Sequence, residues 1–192
     1  MTALEGNDFQ KSSIEGVWTF KPKIRKDIRG STWEWFNINI VPEDFSKVKI
    51  TQLLTAQSKK HVIRGIHFSA KDNPQYKIIK CTYGSIIDVA IDLRTDSKTF
   101  GQYEMFILRS TDPMSIMIPE GVGHGYQVIS ETATVEYALQ TNFRFEEEYV
   151  INPFDEFLNI PWQGSDFILS DRDLRGKNLD YFFDQHILRR EK

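Results

Sequence analysis

Residues 62–81 read V-I-R-G-I-H-F-S-A-K-D-N-P-Q-Y-K-I-I-K-C and predict two β-strands joined by a polar connection. Side chains of a strand point alternately to opposite faces, so His67 shares a face with Ile63 and Gly65. Arg64 is then expected on the other face. His67 therefore has apolar or small neighbours, which is an unusual setting for an imidazole.

The second of these strands begins at Gln75 and places Lys77 on one face with Ile79 and Cys81, so we expect this lysine to point inward. An imidazole and an ammonium in an apolar pocket could remove a proton next to a carbonyl and hold the resulting enolate. The same residues also fit a hydrogen-bonded core histidine and a lysine whose stem is buried while its ammonium reaches water. The two strands alone leave both interpretations open.

The length and charge of the chain limit the class of protein. A chain of 192 residues fits one domain with extensions, and 24 Lys and Arg against 27 Asp and Glu give a net charge of -3. This balance favours neither nucleic acid nor an anionic membrane as a partner. With a single cysteine, Cys81, and no signal-peptide pattern at the start, we expect a cytoplasmic protein without an internal disulfide.

The chain reads as a mobile tail over residues 1–13 followed by one domain over residues 14–192. Short strands with turn signals between them favour an all-β antiparallel sandwich or barrel. Only residues 171–190 look helical, apart from a possible helical turn at 42–45. The predicted strands cover residues 14–20, 21–24, 31–36, 48–55, 62–68, the segment from 75, 86–93, 103–108, 114–118, 126–129 and 134–141.

Three acidic residues stand out in these strands: Glu34, Asp88 and Asp92. Glu34 lies between Trp33 and Trp35 and is expected on the solvent face of an edge strand, although with Arg29 nearby it could orient a cation or accept a sugar hydroxyl. Asp88 and Asp92 share a strand face with Ala90, while Ile87, Val89, Ile91 and Leu93 take the other. We expect the polar face to line the interior.

The segment Pro119-x-Gly121-x-x-His124 resembles the second motif of the cupin superfamily, whose members are small β-helix barrels with their chemistry inside. In many cupins this histidine binds a metal together with two His and a Glu from an H-x-H-type segment. Here residues 65–69 hold one His and no carboxylate follows closely. We therefore predict no metal, and a metal-dependent cupin enzyme is an alternative.

The same region, R-G-I-H followed by N-P-Q-Y-K, resembles the nucleotide-sugar 3,5-epimerase family. The resemblance continues in family order through D-I-R-G with Glu34, I-D-V-A-I-D-L-R, T-F-G-Q, I-P-E-G-V-G-H-G-Y, Y-A-L-Q-T and L-S-D-R-D. Each motif is weak alone, but the ordered set is specific. It implies a cupin-like double-stranded β-helix (jelly-roll) barrel with a short C-terminal helical segment, a homodimer, and no cofactor.

The resemblance also implies a catalytic set. His67 would abstract the proton alpha to the C4 ketone, Asp173 would orient it, Tyr137 would return a proton from the opposite face, and Lys77 would stabilise the enolate oxygen. Inversion through an enolate needs such groups and no redox cofactor. Without the resemblance, Tyr137 reads as an ordinary strand aromatic and Asp173 as a helix-capping residue.

A nucleoside-diphosphate sugar is the partner that the resemblance implies. Phe143 would stack on the base, and arginines suit the diphosphate because their planar fork gives paired charged hydrogen bonds. Asp88 would support Lys77 or His67 from behind, or is a structural acid. The positions that match substrate contacts of the family are Arg29, Glu34, Gln52, Arg64, His124, Glu148 and Arg172.

The chain departs from the family pattern at residues 52–57, where Gln-Asp-Asn before N-x-S is usual, and at Asn142, where a tyrosine is common. The substrate, the nucleotide (dTDP or CDP) and the number of inverted centres are therefore open, and inversion at C3 alone competes with inversion at C3 and C5. A non-catalytic cupin that binds a sugar nucleotide or glycan is a further alternative. It would have no use for the set of His67, Asp173 and Tyr137, so their presence favours the enzyme.

Overall fold

The computed structural model describes residues 8–69, 74–142 and 148–188. Within these ranges no helix is long and apolar enough to cross a membrane. A 3-10 turn at Glu43–Phe45 matches the predicted helical turn, and the helices are α1 (Asp171–Leu174) and α2 (Leu179–Asp184). The strands are β1 (Asp8–Lys11), β2 (Trp18–Lys21), β3 (Arg25–Asp27), β4 (Gly30–Thr32), β5 (Gln52–Lys59), β6 (Ile63–Ser69), β7 (Lys77–Tyr83), β8 (Ser85–Asp92), β9 (Tyr103–Arg109), β10 (Ser115–Ile118), β11 (Val122–Val128), β12 (Thr132–Leu139) and β13 (Glu148–Val150).

Two antiparallel sheets face each other. The larger has the strand order β1-β2-β10-β7-β12-β5 and the smaller β13-β6-β11-β8-β9, while β3 and β4 form a separate hairpin. Sequence neighbours such as β7 and β8 lie in different sheets, which gives the crossing connections of a jelly roll. The predicted all-β, cupin-like barrel with a short C-terminal helical segment is confirmed.

Strand β8 shows how alternation builds the core. Ile86 and Ala90 belong to the cluster between the two sheets, whereas Val89 and Ile91 pack on the outer side with Phe182 of α2. Every residue of β8 after Ser85 is buried because α2 and the segment before it cover its outer face. The predicted division of this strand into two faces is therefore confirmed, with the polar face inside the barrel.

A bulge in β6 corrects the predicted position of Arg64. His67 lies opposite His124 of β11, and Arg64 lies opposite Tyr126, so three steps along β6 match two steps along β11. The extra residue brings Arg64 to the same face as His67, contrary to the simple alternation. Gly65 permits the bulge: its φ is 109° and a Cβ there would lie 2.6 Å from the carbonyl oxygen of His124.

Other predicted boundaries were also wrong. Residues 8–11 form β1 on the edge of the larger sheet, although we expected a tail up to residue 13. The strand predicted over residues 31–36 ends at Thr32, which leaves Glu34 in a loop, and the strand predicted from residue 126 begins at Val122. Strand β13 was missed because three residues carry no periodicity. The predicted C-terminal helical segment consists of two short helices, α1 and α2.

Candidate active site

His67 and Asp173 form the centre of the site. His67 Nε2 lies 2.7 Å from Asp173 Oδ1, and Asp173 is 3% exposed on the short helix α1. The Ser170 hydroxyl caps this helix by accepting a hydrogen bond from the Asp173 backbone N–H at 3.1 Å. Burial raises the pKa of Asp173. The hydrogen bond and charge of His67, together with the hydrogen bonds from Ser170 and the Gly65 N–H, lower this pKa by more, so the net shift is downward. The structure therefore favours an ionised carboxylate against the imidazole.

Glu148 joins the cations around this dyad. Its Oε1 lies 3.0 Å from Lys77 Nζ, and its Oε2 lies 3.3 Å from Arg172 Nη1 and 3.8 Å from His67 Nδ1. Burial raises the pKa of Glu148, while Lys77, His67 and Arg172 lower it further than burial raises it. The predicted substrate contacts Glu148 and Arg172 are thus brought to the site, where they hold each other and Lys77 in place. Lys77 is 5% exposed and points inward, as predicted.

A second histidine pair lies beside the first. His124 Nε2 is 2.8 Å from Asp88 Oδ2, and both side chains are buried. His124 stands directly opposite His67 on the paired strand, so the two imidazoles share the interior face. The partner that we expected for Asp88, Lys77 or His67, is wrong: among the described residues its hydrogen bond goes to His124, and its Oδ1 has none.

Tyr137 of β12 packs on His124 from the larger sheet. Its ring meets that of His124 edge to face at 5.9 Å, and its hydroxyl interacts with that of Tyr126. Desolvation raises the pKa of Tyr137 well above its usual value, with smaller contributions in the same direction from Tyr126 and then Asp88, although Arg64 acts against it. The hydroxyl therefore remains protonated at neutral pH.

Arg64 shares the interior face of His67 on the bulged strand. Its Nε donates to Ser58 Oγ at 2.9 Å, and Ser58 Oγ lies 3.4 Å from the Tyr126 hydroxyl. We did not predict Ser58 or Tyr126 as site residues. The position of Tyr126, two residues after His124 on one strand, was the available signal, since such residues share a face.

The other predicted contacts are not all brought together. Arg29 binds Asp27 at 2.6 Å within the exposed β3–β4 hairpin, and Glu34 accepts a hydrogen bond from Asn37 at 2.8 Å. Gln52 begins β5 on the face that Tyr137 shares. Phe143 lies outside the described residues.

No three His, Cys, Asp or Glu side chains in the described ranges are grouped in a way that could hold a metal ion. The Nε2 atoms of His67 and His124 are instead hydrogen-bonded to Asp173 and Asp88, respectively. The lack of a metal and of any cofactor stays a prediction.

The Glu148–Lys77 pair should matter for stability as well as for the site. We expect Glu148→Gln to lower the free energy of unfolding at pH 7 by about 3–5 kcal/mol, because it leaves the buried Lys77 ammonium unpaired. The lowered pKa of Glu148 means that this contribution is present above the ordinary glutamate pKa and is lost as the pH falls through the folded-state value. Urea unfolding at several pH values should therefore show the difference from wild type shrinking in acid.

Glu136→Gln is the matched control, because Glu136 Oε2 lies at the same 3.0 Å from Lys80 Nζ but its side chain is 37% exposed. A solvent-exposed pair contributes about 0–1 kcal/mol. Equal losses in the two variants would contradict the assigned role of burial.

A jelly-roll barrel with a His–Asp dyad, a paired lysine and a protonated tyrosine in its interior defines an acid–base enzyme of the cupin type. The family model for dTDP-4-dehydrorhamnose 3,5-epimerase matches residues 11–180. The chain belongs to this family, and the predicted enzyme class, an isomerase, is confirmed.

Similar proteins include both double and single epimerases. The dTDP-4-dehydrorhamnose 3,5-epimerase of Shigella flexneri is 34% identical over 90% of this chain and 97% of its own. The dTDP-4-dehydrorhamnose 3-epimerase of Streptomyces niveus is 34% identical over 83% of this chain and 78% of its own. The crystal structure of NovW, a 4-keto-6-deoxy sugar epimerase of Streptomyces spheroides, has a TM-score of 0.91 at 31% identity and covers 96% of this chain and 93% of its own.

Proposed function

We propose that the protein inverts C3 of a dTDP- or CDP-linked 4-keto-6-deoxyhexose in deoxysugar biosynthesis, with C5 inverted slowly or not at all. The observation that carries this proposal is that strand register puts His67, Lys77 and Tyr137 on inward faces of the barrel, with His67 held by Asp173 at 2.7 Å and Tyr137 packed on His124, the neighbour of His67. An enolate mechanism needs these three chemical functions and no redox step.

In this mechanism His67 is the base. The hydrogen bond from Nε2 to Asp173 fixes the neutral imidazole with its proton on Nε2 and leaves the Nδ1 lone pair to take the proton next to the ketone. The imidazolium that forms then lies between Asp173 and Glu148, whose Oε2 is 3.8 Å from Nδ1. Two carboxylates stabilise the charge that the proton transfer creates.

In the proposed mechanism, Lys77 stabilises the enolate and Tyr137 protonates it. The Lys77 ammonium, paired with Glu148, is the positive partner for the developing oxygen charge at C4. We assign to Tyr137, whose hydroxyl is protonated, the return of a proton to the carbon from the side opposite His67. Inversion follows because removal and return occur on different faces of a planar intermediate.

Arg64 and the predicted contact Phe143 are assigned to the nucleoside diphosphate, with Arg64 on the diphosphate and Phe143 on the base. Relatives that act on dTDP-sugars support a dTDP-linked substrate. We also place the protein in the cytoplasm, where nucleotide sugars would reach it without a transport step.

A homodimer would give Arg29 and Glu34 a substrate to contact. Both residues bond to neighbours within their own segment, and the β3–β4 hairpin pairs with neither sheet. Ile28 at its tip is 105% exposed, and Ile24 beside it is 40% exposed. We propose that this hairpin packs on a second copy, where Arg29 and Glu34 contact the substrate of that copy.

Deuterium uptake in heavy water tests the proposed reaction. With a dTDP- or CDP-linked 4-keto-6-deoxyhexose we expect rapid uptake at C3 and slow or no uptake at C5, measured by proton spectra and mass of the recovered sugar. Equal rates at the two carbons would contradict inversion at C3 alone. No uptake with any such sugar would contradict the epimerase assignment of the pocket.

A further inference from the structure

The phenol of Tyr126 carries its hydroxyl into an apolar part of the core. Tyr126 lies on β11, is 0% exposed and belongs to the cluster between the two sheets, together with Ile79 and Val135. A hydroxyl buried among apolar side chains costs free energy unless it is hydrogen-bonded, whereas phenylalanine would fill the same space without that cost. Packing alone therefore does not explain this hydroxyl.

Ser58 and Tyr137 are the hydrogen-bonding neighbours of the Tyr126 hydroxyl among the described residues. Ser58 Oγ lies 3.4 Å from it, and the Tyr137 hydroxyl interacts with it from the neighbouring strand of the larger sheet. Both neighbours project into the barrel, since Ser58 is 6% exposed and the Tyr137 ring packs on His124. The three hydroxyls of Ser58, Tyr126 and Tyr137 thus form a row, which we call the hydroxyl row.

Arg64 fixes the direction of hydrogen bonding at one end of the hydroxyl row. Its Nε donates to Ser58 Oγ at 2.9 Å, and a guanidinium has donors only. The Ser58 proton therefore points away from Arg64 and is available to the Tyr126 oxygen, at a separation that is long for two hydroxyl groups. A permanent positive charge thus stands behind the row.

The hydrogen bond between the two phenols also has a direction in the free protein. Burial raises the pKa of both phenols, and their shared hydrogen bond raises the pKa of Tyr137 further while it lowers the pKa of Tyr126. A hydrogen bond makes its donor harder to ionise and its acceptor easier to ionise. Tyr137 is therefore the donor and Tyr126 the acceptor before any proton is transferred.

We propose that Tyr126 positions the hydroxyl of Tyr137 and stabilises the phenolate that forms when Tyr137 protonates the enolate. This inference rests on the proposed function and adds a positioning residue to it. As Tyr137 turns its proton to the carbon, its oxygen becomes an acceptor, and the Tyr126 hydroxyl rotates to donate to it. The Ser58 hydroxyl in turn donates to the Tyr126 oxygen, so that each bond of the row points to the new negative charge.

The proton balance of this step involves Tyr137 alone. Its O–H bond breaks, the electron pair of the enolate double bond forms the new C–H bond, and the C4 carbonyl forms again. The Tyr137 phenolate takes a proton from water after the product has left, and the imidazolium of His67 releases one. Tyr126 and Ser58 keep their own protons, and the fully buried Tyr126 acts on the substrate only through Tyr137.

Tyr126→Phe tests the proposal, because it removes one oxygen atom, keeps the ring in the core and leaves Arg64 its acceptor on Ser58. With a dTDP-linked 4-keto-6-deoxyhexose we expect the single-turnover rate of C3 inversion to fall by about tenfold to a hundredfold, the effect of losing a hydrogen bond to a charged group. The affinity for dTDP should stay as in wild type, because no group assigned to the nucleotide changes. Proton spectra of the recovered sugar measure the inversion, and calorimetry measures the binding.

Tyr103→Phe is the matched control. It removes a phenol hydroxyl whose hydrogen bond goes to the backbone oxygen of Asn159 at 3.5 Å, on the outer side of the smaller sheet. Both the inversion rate and the affinity for dTDP should remain as in wild type. Equal falls in Tyr103→Phe and Tyr126→Phe would overturn the inference, since the loss would then follow from removing any phenol hydroxyl.

A double-mutant cycle with Tyr137→Phe separates positioning from a structural role. Because Tyr126 acts through Tyr137, Tyr126→Phe should change the residual inversion rate of Tyr137→Phe by less than about threefold. A residue that only supports the fold would have the same effect in both backgrounds. A further fall of about tenfold or more in the Tyr137→Phe background would therefore overturn the inference.

The outcomes distinguish this inference from the proposed function. A wild-type inversion rate in Tyr126→Phe, with inversion lost in Tyr137→Phe, would overturn the role of Tyr126 and leave Tyr137 as the acid. Wild-type inversion in Tyr137→Phe would overturn both assignments. No inversion by the wild-type protein with any dTDP- or CDP-linked 4-keto-6-deoxyhexose would overturn the proposed function and this inference together.

Discussion

His67→Asn is expected to lower the rate of deuterium uptake next to the ketone by about 10²–10⁴-fold, the usual effect of removing a general base. Asparagine is close to histidine in size and can still donate a hydrogen bond to Asp173, but it has no basic nitrogen at the position of Nδ1. The fold and the affinity for the nucleoside diphosphate should therefore remain. Uptake by mass spectrometry and binding by calorimetry measure the two separately.

His61→Asn is the matched control for this variant. His61 lies in the turn between β5 and β6 with a φ of 67°, a conformation that asparagine adopts readily. The same substitution six residues away should leave the exchange rate close to that of wild type. Unchanged exchange in His67→Asn would remove His67 as the base.

Asp173→Asn is expected to lower the turnover number by about 10²–10⁴-fold with little change in substrate binding, as in other His–carboxylate dyads. The amide cannot stabilise the imidazolium, and it can donate to Nε2 and so reverse the tautomer that leaves Nδ1 free. The effect should appear in kcat and not in the dissociation constant of the nucleoside diphosphate. Single-turnover exchange and calorimetry distinguish these quantities.

Asp171→Asn provides the comparison on the same short helix. Asp171 is exposed and lies two residues from the buried Asp173, so its replacement tests the loss of an acidic group in the first turn without touching the imidazole. We expect near wild-type turnover. If Asp173→Asn lost binding and stability together, Asp173 would be a structural residue of α1.

The strands and the inward lysine could be predicted from the sequence because alternation is local. In β8, alternation places Ile86 and Ala90 on one face and Val89 and Ile91 on the other. The same rule places Lys77, Ile79 and Cys81 on one face of β7. The ordered motifs then predicted the family, which the family model confirms. They also predicted the catalytic set, including Asp173, which no local pattern could pair with His67.

The tertiary structure decided which of these groups touch. His67 and Asp173 are 106 positions apart, and Glu148 joins Lys77 and Arg172 only because β13 pairs with β6. Arg64 shares the face of His67 because one extra residue in β6 breaks the period of two, an event that depends on pairing with β11. Alternation predicted an all-β sandwich or barrel with Lys77 inward, and the ordered motifs predicted the cupin-like barrel. The register between distant strands decided the contacts, since register is set by long-range packing and not by local sequence.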